Sequence, residues 1–210
     1  TKNLSFSSFY IFVLTKEKDL KNNYFLYLLN EYFEQTKINI NDSINFENSK
    51  AQKDFRIIDF NVGEKQPNTK LIPIVFIVKC LFSINTDKGT AADQIIYSAY
   101  FSSIDENEGA MNNSSELKRP IFFLPENFGK ESYKSKPDDQ PTLIQYAPPY
   151  FIYFRNKMFN IILIKKGQYQ SFTLNDQPLY SAFCQFIRKD TAVFVFNEVI
   201  SVIDFSKQLN

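Results

Sequence analysis

The chain contains no histidine, no tryptophan, only two cysteines and only five glycines in 210 residues. Without histidine there is no Ser-His or Cys-His nucleophile pair, and the commonest general base and most zinc sites are also excluded. Two cysteines cannot build a four-thiolate site. Neither G-x-x-x-x-G-K-[ST] nor G-x-G-x-x-G occurs, so phosphate cradling by a Gly-rich loop is unsupported; Lys88-Gly89-Thr90 reads as a turn. Charge of one sign is also missing. Lys and Arg total 24, Asp and Glu 23, and the net charge is +1. No global field draws the molecule to nucleic acid or anionic lipid, so any such binding needs a local patch. No apolar run reaches the roughly 20 residues that a membrane-spanning helix requires. The expectation is a protein that is not an enzyme, carries no metal or cofactor, and has no membrane partner.

What the chain has is aromatic and β-branched. It holds 23 Phe and 12 Tyr, and hydrophobic residues make up 44%, enough to bury a core and biased toward strands. Residues 71–84, LIPIVFIVKCLFSI, form the longest apolar run, with Lys79 its only charge. We read this run as a buried strand, long enough to bend and serve two neighbours, with Pro73 near its start where a strand tolerates proline. Further strands are expected at 6–14, 54–61, 94–102, 119–124, 158–165, 169–174 and 191–205. Lys88 and Gly89 mark a hairpin connection between the runs at 71–84 and 94–102.

Two helices are expected. In residues 16–35, Leu20, Tyr24, Leu28 and Tyr32 recur every four residues, with Phe25, Leu29 and Phe33 beside them. In residues 176–189, Asp176 reads as an N-cap and Pro178 sits in the first turn. Leu179, Ala182, Phe183, Phe186 and Ile187 fall on one stripe, and Arg188 and Lys189 close the positive end. Residues 1–50 read as an N-terminal strand and helix segment packing on or extending the main domain, which spans 51–210. No internal repeat is visible. The fold class is mainly β, an OB-like β-barrel with two or more flanking helices; the alternative is an α+β antiparallel sheet.

Cys80 and Cys184 lie in apolar surroundings and read as buried thiols in a reducing compartment; a disulfide between them is the alternative. The carboxylate pairs Asp105 with Glu106 and Asp138 with Asp139 sit in polar loops and read as solvated acids. One stretch has binding character. Tyr150, Phe151, Tyr153, Phe154, Arg155 and Lys157, with Lys165 and Lys166 after them, combine rings that stack on bases with cations that meet phosphates. Alternation along a strand sends some of those rings into the core instead. Lys118 and Arg119 read as a solvated strand end.

The strand order, and the ending AVFVFNEVISVIDF in particular, resembles OB domains of telomere proteins. With the AT-rich codon bias implied by heavy Lys, Asn, Ile, Phe and Tyr usage, the chain resembles an OB-fold accessory subunit of a ciliate telomerase or telomere complex. The nearest group contains the beta subunit of telomere end-binding protein and its telomerase-recruiting shelterin relative. The resemblance implies a non-catalytic scaffold or adaptor in the nucleus. Its partners would be other protein subunits, the telomerase reverse transcriptase and other OB subunits among them. Single-stranded nucleic-acid binding is one alternative function, and an accessory role in another large assembly, such as a mitochondrial complex, is a second.

Overall fold

The computed structural model describes residues 3–7, 10–16, 23–40, 52–65, 69–85, 88–105, 108–112, 119–124, 130, 136, 139–173, 182–196 and 199–206. Among them there is no α-helix. Sixteen strands form four antiparallel sheets, and the chain divides into two compact units, Thr1–Pro137 and Asp138–Asn210. Residue 50 falls inside the first.

The first unit holds two sheets. Strands β1 (Asn3–Ser7), β2 (Tyr10–Lys16), β3 (Tyr24–Leu29) and β4 (Gln35–Asn39) pair in sequence order. Strands β5 (Gln52–Val62), β6 (Leu71–Asn85), β7 (Ala91–Asp105) and β8 (Ala110–Asn112) do the same, and β9 (Ile121–Phe123) adds to β7. One core joins the two sheets. Phe12, Leu14, Leu26, Leu28 and Ile38 of the first meet Phe60, Ile72, Ile74, Phe76 and Val78 of the second. β1 runs beside β5, and β4 approaches β8. The second sheet is buried on its other face too, where Val75, Ile77, Ala99, Phe101, Ile121 and Phe123 lie. That double burial explains the unbroken apolar run in β6, which serves β5 and β7 as expected; alternation is needed only where one face is wet.

The second unit repeats the plan. Strands β10 (Thr142–Ala147), β11 (Tyr150–Arg155), β12 (Met158–Lys165) and β13 (Gln168–Thr173) pair in order. So do β14 (Ala182–Arg188), β15 (Thr191–Phe196) and β16 (Val199–Asp204). Phe159 and Phe194 meet edge to face at 5.1 Å, and Phe205 packs on Tyr150 at 5.1 Å. Each fully buried ring of this kind contributes about 1.5–3 kcal/mol. β10 runs beside β14.

The main-β reading holds, while the closed barrel and the helices do not. No closed barrel is found among the described residues. The strands assigned to a single barrel are spread over three sheets, and the expected long strand at 191–205 is the antiparallel pair β15 and β16. The run at 6–14 is likewise split between β1 and β2. Within residues 16–35, Tyr24–Leu29 is β3. A spacing of four has the same parity as a spacing of two, so Tyr24 and Leu28 share a strand face as readily as a helix face. Tyr24, Leu26 and Leu28 are buried, and Phe25, Tyr27 and Leu29 line the other side. Asp176, Pro178 and Leu179 lie outside the described residues, and Ala182–Arg188, expected to be helical, is β14. There the aromatic run pairs with β15, a case of partner strands overriding a local helical spacing.

Candidate functional site

The aromatic and basic stretch singled out in the sequence is largely core. Tyr150 and Phe151 are fully buried and Tyr153 is buried, while Phe154 is half-buried and packs edge on against Phe159. The Tyr150 hydroxyl donates to the Phe205 carbonyl at 3.3 Å and to the Asp190 carboxylate at 3.4 Å. Burial and the neighbouring Asp190 charge push its pKa up to about 12. Burial does the same for Tyr153. Arg155 is half-buried, and its Nε donates to the Asp139 carbonyl at 3.0 Å. Lys157, Lys165 and Lys166 are exposed, but the turns carrying them close opposite ends of β12. Eight strand residues separate the ends by roughly 27 Å. The two turns are tight because Asn156 and Lys157 in one, and Lys166 and Gly167 in the other, all have positive φ. The rings and the cations therefore do not converge on one face that a single strand of nucleic acid would follow.

The ionisable groups do not converge either. Among the described residues no group of three or more His, Cys, Asp or Glu is placed to hold a metal. Asp105 holds the β7–β8 turn, its carboxylate accepting from the Glu108 amide at 3.3 Å and its carbonyl from the Gly109 amide at 2.9 Å. Glu106, Asp138 and Lys118 lie outside the described residues, and Arg119 is exposed. Cys80 and Cys184 are free and buried, so the pair forms no disulfide. Burial pushes the Cys80 thiol up to about 11 and the Cys184 thiol up to about 12, which keeps both protonated and poorly nucleophilic near neutrality.

Large apolar side chains reach solvent in two clear places. The first is the β3–β4 turn. Asn30 ties it together. Its Oδ1 accepts from the amides of Tyr32 at 3.0 Å and Glu34 at 2.9 Å, and its Nδ2 donates to Glu34 Oε2 at 2.7 Å. Its carbonyl accepts from the Phe33 amide at 3.0 Å. On this braced turn Tyr32 is 75% exposed and Phe33 is 78% exposed. Phe33 has φ 61°, a left-handed conformation that a hairpin of this kind normally gives to glycine. A bulky ring there is costly to the backbone and contributes no burial.

The second place is one face of the β14–β16 sheet. Phe183, Val195 and Ile200 form one cross-strand row, and Gln185, Val193 and Val202 the next. Phe183 is 54% exposed, Ile200 71% and Val202 63%. The sequence analysis put Phe183 on a helix stripe and placed Tyr32 and Phe33 on or beside a helical row. Strand parity finds Phe183 once β14 is known, whereas Tyr32 and Phe33 lie in the β3–β4 turn, where parity gives no signal. No known protein family, no curated protein and no solved structure matches this chain.

Proposed function

We propose that the chain is a non-catalytic scaffold that holds other proteins through exposed apolar side chains on a rigid β framework. The observation that carries this reading is the Asn30–Glu34 turn. Two neighbouring aromatics stand in solvent there, on a turn locked by side-chain hydrogen bonds, with Phe33 in a backbone state that its side chain disfavours. Strain of this kind persists where the surroundings impose it, and rigid aromatic anchors lose little entropy on docking. Subunits of a telomerase or telomere complex in the nucleus are the partner class that the sequence resemblance implies, although the strands that carried it are spread over three sheets. The burial of Tyr150, Phe151 and Tyr153 weighs against single-strand stacking at that stretch.

The test is affinity purification of the tagged chain from its own cells with quantitative mass spectrometry, comparing wild type with Phe33→Gly and Tyr32→Ala. Partners recovered with wild type and depleted at least tenfold with both variants support the reading. Identical partner sets, from variants that melt no lower than wild type, would overturn it.

A further inference from the structure

We infer that the bare face of the β14–β16 sheet is the surface on which two copies of this chain pair. The inference rests on the scaffold reading only in treating exposed apolar surface as binding surface. Its test is self-association, so either idea can fail alone.

The face is built for another sheet. Phe183, Val193, Val195, Ile200 and Val202 stand on it in two cross-strand rows with one polar residue, Gln185, and no charge among them. The same chemistry covers the second face of the β5–β8 sheet, where Val75, Ile77 and Phe101 are buried. Three strands of six or seven residues present a footprint of about 300 Å², from strand spacings of about 4.8 Å and a rise of about 3.4 Å per residue. A standard interface covers roughly 800 Å² per partner. The pairing is therefore weak and reversible.

Charge selects the partner. The other exposed sheet face, on β1–β4, carries the Lys37 ammonium 3.8 Å from the Phe25 ring centre and 6.0 Å from that of Tyr27. Covering it with an apolar sheet strips water from a cation with no anion in return. Among the described residues, the β14–β16 face has its charges at one end, where Arg188 registers with Thr191 and Thr191 with Asp204. Both Arg188 and Asp204 are exposed. A two-fold axis along the strands lays β14 of one copy over β16 of the other. Arg188 then faces Asp204 of the second copy, twice, while the apolar rows meet in the middle. The interface is isologous and closes at the dimer.

Sedimentation equilibrium of the full chain over a broad concentration range tests this, with thermal melts confirming that each variant folds. Wild type should pass from monomer to dimer and no further. Val202→Lys should weaken association at least tenfold, and Ile11→Lys on the β1–β4 face should leave it unchanged. Arg188→Asp should weaken it several-fold, and the swap Arg188→Asp with Asp204→Arg should restore it. Wild type that stays monomeric throughout, association that continues past the dimer, insensitivity to Val202→Lys, or loss with Ile11→Lys would each overturn the inference.

Discussion

At Phe33 two backbone effects oppose each other. A non-glycine residue at φ 61° carries about 1–2 kcal/mol of steric cost, while glycine loses more freedom on folding, about 0.4–1 kcal/mol. The first is larger, and the ring buries little, so Phe33→Gly should stabilise the fold by about 0.5–1 kcal/mol in urea unfolding. An unchanged or lowered midpoint would mean that the ring contributes packing that its exposure hides. The two phenylalanines Phe183 and Phe194 make a second contrast. Phe194 is fully buried between Phe159 and Phe205, and alanine there should cost about 3–5 kcal/mol. On the helix reading Phe183 would be equally costly. On β14 it points to solvent, so Phe183→Ala should cost less than about 1 kcal/mol. Equal losses at both positions would restore the helix.

Among the elements, β4 and the β7–β8 turn meet closely. Gly109 has φ +57°, and a Cβ built on it would lie 2.5 Å from the Thr36 methyl carbon. Gly109→Ala therefore adds strain to a clash and should destabilise by about 1–3 kcal/mol. Combining it with Thr36→Ala should recover the clash and leave the strain, a partial rescue readable as a midpoint shift. No rescue would mean that backbone conformation alone sets the cost. The strands at 71–84 and 158–165 were legible because long β-branched runs exclude competitors. Residues 24–29 and 182–188 were not, since a spacing of four fits both periods and only the partner strand decides. Of the candidate site, Lys157, Lys165 and Lys166 are exposed at turns, whereas the exposed rings came from elsewhere in the chain.

Across the whole molecule, buried acids without charge set the alkaline limit. Cys80, Cys184, Tyr100, Tyr150 and Tyr153 all have pKa values raised to between about 11 and 12 by burial. Below about pH 8 the folded and unfolded chains hold these protons alike, and the groups leave stability flat. Above it the unfolded chain releases them first, the two thiols before the tyrosines, so stability should fall steadily between about pH 8 and pH 12. Urea melts across that range check the sign. A flat profile would show these groups to be solvated. The repeated plan of sequentially paired antiparallel strands is a property of the whole that the sequence did not disclose, since the sheets share strand order without sharing residues.

By itself the sequence determined strand-forming character, a core of rings and branched aliphatics, and the absence of histidine-dependent chemistry. Those follow from residue types, which do not depend on what they touch. The tertiary structure decided which strands pair, that the described strands make four sheets and not one barrel, and which rings are core. Parity gives each strand two faces, and only the neighbouring strand and the sheet beyond it determine which face is dry.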